Sequence, residues 1–337
     1  MLKKIIKFYF LLSIIMGQSQ QNFSLSLLND ISFSNKDTTF NSSGVELVGM
    51  GHMHPNAMIM AYINFPFNDE KFSIEEVYID FKNKLNIKFG YFRPDIGFIN
   101  KAHAHTYNFI SSPNSMKYLL GNHNWSTLGV AFGYQLPFKW ENNFSINILK
   151  NTIGDVSHIS HNDNHYNVSI QDTINNDLAY SMILKNSFKL NDKLKIKFGT
   201  NFTNGREKSN DGLSFQLKNE KNPFNFWVLQ FEFMKANIYN YHNGLAYHPN
   251  EKLQSQYFLL GRQYNKNFHF GIIVDQWNYE LKDILGNSKS IYLSYAPMND
   301  DFVIRVKISD NQTILGNNPY GVIKIIWSLG PHKPQRY

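Results

Sequence analysis

Apolar and polar residues alternate singly along most of this chain. In "KLNIKFGYF", Leu85, Ile87, Phe89 and Tyr91 fall on one side, and Asn86, Lys88 and Gly90 on the other. "KLKIKFGTNF" repeats the scheme, with Leu194, Ile196 and Phe198 opposite Lys195, Lys197 and Gly199. "FVIRVKI" sets Phe302, Ile304, Val306 and Ile308 against Val303, Arg305 and Lys307. Successive side chains of a strand point to opposite faces, so each stretch makes a strand with one apolar and one wet face. Strands are predicted at 23–34, 43–52, 56–65, 71–82, 84–93, 125–137, 142–152, 177–190, 193–203, 212–219, 224–240, 254–264, 267–278, 288–297, 301–310 and 319–329. Most match the nine to eleven residues with which a tilted strand crosses a bilayer. The stretch 224–240 is longer than needed and is expected to project past the membrane.

Short turns near 53–55, 83, 138–141, 191–192, 220–223, 265–266 and 298–300 interleave with loops at 35–42, 66–70, 94–124, 153–176, 204–211, 241–253, 279–287 and 311–318. Tight turns at one end and longer loops at the other are the habit of outer-membrane barrels. The expected fold is therefore all-β, a transmembrane antiparallel β-barrel of about 16 strands (14–18), an even number that brings both termini to the periplasm. Hydrocarbon offers no partner to a backbone N–H or C=O, so the first strand must pair with the last. "FSLSLLNDISF" is expected to lie against "YGVIKIIWSL". Aromatic residues near strand ends suit the headgroup level: Tyr91, Phe92, Trp125, Phe138, Trp140, Trp227, Tyr239, Tyr241, Trp277, Tyr279 and Trp327.

The start of the chain agrees. "MLKKIIKFYFLLSIIMGQSQ" places three lysines before a short apolar run and then small and polar residues, the layout of a secretory signal peptide, assigned to 1–19. Residues 20–337 then form a single barrel. Without the three leader lysines the formal charge falls from +7 to +4, which does not suit a nucleic-acid partner. No later apolar stretch reaches the length of a spanning helix. There is no cysteine, which excludes disulfides, thiolate metal sites and thiol catalysis. Among 28 Phe, 19 Tyr and 5 Trp no enzyme fingerprint appears: no G-x-S-x-G, H-E-x-x-H, P-loop or dinucleotide motif. A non-enzymatic role is expected.

Chemistry concentrates in a few places. The connection 94–124 is long and too apolar for a loose exterior loop, and a connection of that length carries structure or function. Folded inward, it would narrow the lumen and select solutes by width and charge. Lumen and constriction candidates are Glu76, Asp80, Lys88, Arg93, Asp95, Asn100, Lys101, His103, His105, Lys195, Lys197, Arg305 and Lys307, whose cations suggest a mild anion preference. Alternation puts Ile74, Glu76, Tyr78 and Asp80 inside and leaves Glu75 with Val77, Ile79 and Phe81 against lipid. That placement is costly, so either Glu75 lies at the rim or a bulge shifts the register. Imidazoles ligate borderline metals, which makes His52, His54, His103, His105, His158, His161, Asp163 and His165 candidate ligands for zinc or another divalent ion. The final aromatic residue, Tyr337, fits an assembly signal read by the outer-membrane barrel assembly machinery.

Residues 44–137 and 320–337 resemble a family of uncharacterised bacterial outer-membrane proteins, porin-like and sometimes labelled receptor-like or zinc-linked. The resemblance rests on Glu75, Glu76, Tyr78, Gly90, Phe92, Gly97, Asn100, His103, His105, Gly121, Gly129, Val130, Leu136 and Pro137, and on Leu329, Gly330, Pro331 and His332. Lys333 stands where that family's ending has proline. The resemblance implies an outer-membrane barrel and adds weight to His103 and His105. Two functions are carried forward. One is a passive, porin-like channel in the lipid bilayer of the outer membrane for small hydrophilic solutes or ions. The other is a closed or binding barrel whose outer loops capture a metal ion or partner.

Overall fold

A computed structural model describes residues 23–36, 38, 40–67, 72–121, 123–152, 178–205, 208–242, 245–279, 284–298, 301–313 and 316–333. The expected signal peptide, the cluster His158, His161, Asp163 and His165, and the terminal Tyr337 lie outside them.

Sixteen strands make the wall: β1 (Phe23–Ser34), β2 (Val45–His54), β3 (Ala57–Phe65), β4 (Ser73–Phe81), β5 (Leu85–Phe92), β6 (Thr127–Tyr134), β7 (Glu141–Leu149), β8 (Ala179–Lys189), β9 (Leu194–Asn204), β10 (Lys208–Asn222), β11 (Asn225–His242), β12 (Leu245–Gln263), β13 (Phe268–Tyr279), β14 (Ile284–Met298), β15 (Phe302–Thr313) and β16 (Gly316–Leu329). A two-residue piece, Phe40–Asn41, pairs beside the end of β1. Every strand runs antiparallel to its sequence neighbours, and β1 closes on β16 from Leu27↔Leu329 to Ser34↔Val322. Inside this seam Lys324 pairs with Asp30, which also accepts the Ser43 N–H at 2.9 Å. Beyond β16 the chain turns inward at Gly330, whose φ of 109° and close approach to the Leu25 carbonyl leave no room for a Cβ. The His332 N–H then donates to Ser26 Oγ at 2.9 Å, and Lys333 pairs with Asp301.

Alternation decides the faces. Leu85, Phe89, Phe198, Phe202, Ile272, Ile291 and Ile308 are exposed on the outside, as lipid-facing residues of a barrel must be. Arg305 and Lys307 are buried within. Four expectations are corrected. First, Ile74 is exposed on the outside and Glu75 points in. The β3–β4 register jumps from Tyr62↔Glu76 to Ile63↔Ile74, so Glu75 is the extra residue of a β-bulge, and two consecutive carboxylates face the interior. Second, Phe92, Trp125 and Trp277 belong to the interior rather than to an interfacial girdle; Phe138, Trp140, Trp227 and Trp327 remain exposed. Third, the loops expected at 204–211, 241–253, 279–287 and 311–318 are mostly strand, because β10, β12, β14 and β16 begin earlier. Beyond the hydrocarbon both faces are wet, so the hydrophobic period fades while backbone pairing continues. The barrel is tall at β11 and β12 (18 and 19 residues) and low over β2–β7 (8 to 10).

Fourth, the interior is not wet throughout. The connection 93–126 enters the barrel, and its Ile96, Ile99, Tyr107, Phe109, Met116, Leu119 and Leu120 form one apolar cluster with wall residues that include Phe226, Val228, Met234, Leu253, Tyr257, Leu259, Ile273 and Tyr292. Each aliphatic side chain so buried contributes about 1.5–3 kcal/mol. The segment contains a 3₁₀ turn (Ala104–Thr106) and one short helix, α1 (Asn114–Leu120), which starts after Pro113 and ends at Gly121 with φ 83°.

The outward face should tolerate charge according to depth. Ile291→Arg, at mid-strand, should cost about 2–4 kcal/mol by denaturant titration in lipid vesicles, and Leu329→Arg, at a strand end, about 0–1; equal costs would contradict the lipid-facing assignment. With no native cysteine to interfere, single cysteines report the bulge. Ile74→Cys and Val77→Cys should react with a membrane-phase probe, whereas Glu75→Cys and Glu76→Cys should not. Reaction at Glu75→Cys but not at Ile74→Cys would mean straight alternation.

Candidate functional site

The neck of the inserted segment is closed by its own polar groups. Asn100, fully buried, donates to the Pro94 and Trp125 carbonyls at 2.8 and 3.2 Å and accepts the Trp125 N–H at 2.8 Å. Asn124, held at φ 63°, donates to the Ile99 and Ala102 carbonyls at 2.8 and 2.9 Å. The wall grips the segment from several sides. Glu232 of β11 accepts the N–H groups of Phe98 and Ile99 and the Tyr257 hydroxyl. Gly97, at φ 57°, lets the chain lie against Glu232 and Met234, where any Cβ would collide. Asp275 of β13 accepts the Asn114 N–H at 2.8 Å, and Arg305 of β15 donates to the His105 carbonyl at 3.0 Å.

These anchors leave a recess of about 360 Å³ between the start of the segment and the wall of β7–β10. Asp95, Gly97, Phe98 and Lys101 line it from the segment; Glu141, Asn143, Lys185, Ser187, Lys197 and Ser214 line it from the wall. Lys185 bridges the two sides, 2.5 Å from Asp95 and donating to the Gly97 carbonyl at 2.9 Å. Lys101 lies 3.3 Å from the same carboxylate with its side chain 63% exposed, so its charge is presented to solvent. Burial acts to raise the Asp95 carboxyl, but Lys185 and Lys101 outweigh it and hold the group below its usual range. Asp95 in turn raises the Lys101 ammonium. Both stay charged at neutral pH.

A second polar centre lies where the segment meets β2 and β4. Arg93, at the end of β5, donates to Glu75 at 2.6 Å and to the Ala102 carbonyl at 3.0 Å, and its N–H donates to Glu76 at 2.7 Å. His103 stacks on Tyr62 at 3.8 Å between ring centres, with Nε2 2.8 Å from Glu76. His105 places Nδ1 2.9 Å from Glu46 and Nε2 2.8 Å from Nε2 of His332, on the tail behind β16. Burial and the Arg93 guanidinium oppose protonation of His103, yet the Glu75, Glu76 and Glu46 carboxylates beside it raise it above the ordinary imidazole range. At His105 burial prevails over Glu46 and lowers it.

Of the candidates read from the sequence, Asp95, Lys101 and Lys197 line the recess. Lys195 stands beside it, 3.4 Å from Glu141. Glu76, Arg93, His103 and His105 meet in the second centre, and Asn100 and Arg305 are anchors of the segment. Asp80 and Lys88 face each other across β4 and β5, with Lys88 4.4 Å from the Tyr78 ring centre. Lys307 is buried near the Tyr320 ring, 6.0 Å from its centre. His52 and His54 are exposed at the β2–β3 turn, apart from both centres. Glu46, Lys185, Glu141, Glu232 and Asp275 carry no sequence signal beyond residue type, and His332 is marked only by the resemblance of the chain's ending. Only the Glu75 anomaly, read as a bulge, pointed to the second carboxylate.

No protein-family model and no curated protein sequence matches the chain. Solved structures match in fold. The outer membrane channel DcaP of Acinetobacter baumannii superposes with a TM-score of 0.59 at 9% identity, over 91% of this chain and 96% of that one. OprB of Pseudomonas putida gives 0.59 at 11% identity, over 91% and 94%. The anion-selective porin of Comamonas acidovorans gives 0.50 at 8% identity, over 92% and 98%. What this chain shares with them is the fold, a closed barrel of antiparallel strands.

Proposed function

We propose that the protein is a passive channel of the bacterial outer membrane that passes small hydrophilic solutes, with a mild preference for anions. The observation that carries this reading is the charged recess between the inserted segment and the wall of β7–β10. Three lysines, Lys101, Lys185 and Lys197, and two carboxylates, Asp95 and Glu141, line a gap shared with Asn143, Ser187 and Ser214 and with Phe98 and Phe198. A constriction of this kind selects by width and by the field its fixed charges set up. No bond is made or broken. Two of the similar structures are named as an outer membrane channel and as an anion-selective porin, which supports the reading at the level of fold.

Stepwise conductance is expected in planar bilayers. Phe92 pairs with Thr127, so a short turn can replace residues 95–124 without disturbing the β5–β6 ladder. That replacement should raise single-channel conductance; conductance unchanged from the native barrel would remove the constriction, and a folded barrel silent in both forms would overturn the channel. Lys101→Ala and Lys197→Ala should each lower the anion-to-cation permeability ratio by about two- to fivefold at low salt, since a unit charge 4 Å away in water is worth about 1 kcal/mol. Glu141→Gln should shift the ratio the other way.

A further inference from the structure

His103 and His105 sit on the 3₁₀ turn of the inserted segment with their rings 5.5 Å apart and 26° from parallel. Each ring is held at Nε2: His103 by Glu76 and His105 by His332, both at 2.8 Å. Each therefore directs Nδ1 the same way, toward Glu46. His103 Nδ1 lies 3.3 Å from a Glu75 oxygen and 3.6 Å from Glu46 Oε1; His105 Nδ1 lies 2.9 Å from Glu46 Oε2. His103 is only 5% exposed, yet its Nδ1 makes no hydrogen bond, and neither does Glu46 Oε1. One donor atom from each of Glu46, His103 and His105 can be chosen so that all three lie within 4.8 Å of one another.

The proton count shows what this convergence needs. Glu76 is an acceptor, so His103 donates to it from Nε2, and a neutral ring then points a lone pair from Nδ1 at two carboxylates. Lone pairs facing one another in a buried place are relieved either by a proton on Nδ1 or by a metal cation between them. Arg93 pairs its guanidinium with Glu75 and donates only its backbone N–H to Glu76. Among the described residues, Glu46 and Glu76 have ion pairs with imidazoles only, which leaves two uncompensated negative charges when the rings are neutral. Donors 2.0–2.2 Å from a tetrahedral zinc lie roughly 3.3–3.6 Å from one another, close to the separations around His103 Nδ1. An imidazole whose far nitrogen is held by a carboxylate is also the usual support of a metal-bound histidine.

The geometry points to a divalent-metal site formed by Glu46, His103 and His105, with Glu75 as a fourth donor and with Glu76 and His332 orienting the two rings. Two imidazoles and hard carboxylates without a thiolate suit zinc and its borderline neighbours, cobalt and nickel, rather than calcium or a copper(I) ion. The ion would staple four pieces of chain: β2, β4, the inserted segment and, through His332, the tail that follows the closing strand. This inference does not depend on conduction through the recess.

The test uses the full-length barrel refolded in detergent and stripped with a chelator. Titration with zinc alone, followed by gel filtration and metal analysis, should give one tightly held zinc per chain, and cobalt alone should show the visible absorption of a tetrahedral ion. The double variant His103→Gln/His105→Gln should lose both signals while keeping the heat-modifiable mobility of a closed barrel. Glu76→Gln and His332→Ala leave the donors in place and should weaken zinc binding roughly 10–100-fold. A stripped native barrel that takes up no more zinc or cobalt than the double variant would overturn the site and leave a proton-filled His–Glu network. So would uptake that the double variant retains but that disappears on replacing His52 and His54 or His158, His161 and His165.

Discussion

Hydrocarbon will not hydrogen-bond, and every feature of the wall follows from that. An unpaired backbone group in the bilayer costs several kcal/mol, so a sheet can stand there only without edges. The eight residue pairs between β1 and β16 remove the last two edges. The seam is supported from inside by Asp30 and Lys324 and by the tail bent at Gly330. Once the wall is closed by backbone alone, the inward side chains are released from stabilising it and can be spent on what the lumen holds.

The bulge at Glu75 shows how little is needed to exploit that freedom. One extra residue in β4 turns two neighbouring carboxylates to the same face, which regular alternation forbids. Arg93 then finds Glu75 with its guanidinium and Glu76 with its backbone N–H, which fixes the direction in which the chain leaves β5. The exit leads inward, and the segment brings His103 back to the same carboxylates and His105 to Glu46 beside them. Local backbone irregularity, segment insertion and the polar centre are thus one structure.

Much of this was readable in the residues. Strict alternation in 84–93, 193–203 and 301–310 gives the wall, its faces and the pairing of first strand with last, because the bilayer punishes each misplaced side chain separately. The apolar texture of 94–124 announces a packed segment. Legibility fails where two environments look alike in one dimension. Trp125 and Trp277 have the composition of a girdle but lie inside, since an aromatic residue near a strand end suits either place. The polar starts of β12 and β14 read as loops because water on both faces erases the period. Glu46 and His332 lie 286 positions apart and meet only through the third dimension, so no spacing could have joined them.

The inserted segment has two unlike sides, and the wall matches each. Toward β11–β14 it presents Ile99, Phe109, Met116 and Leu119 to Val228, Met234, Leu253, Leu259 and Ile273. Such a wall would be a poor lining for water; it is tolerable because the segment covers it. Toward β7–β10 the wall carries Asn143, Ser145, Asn147, Lys185, Lys197, Asn201 and Ser214, and the segment answers with Asp95 and Lys101. A lid that came and went would expose the apolar half to water at about 25 cal/mol for each Å². The segment is therefore a resident part of the barrel, and any solute path runs along the polar side, where water is already favoured and where fixed charges of both signs can act on what passes.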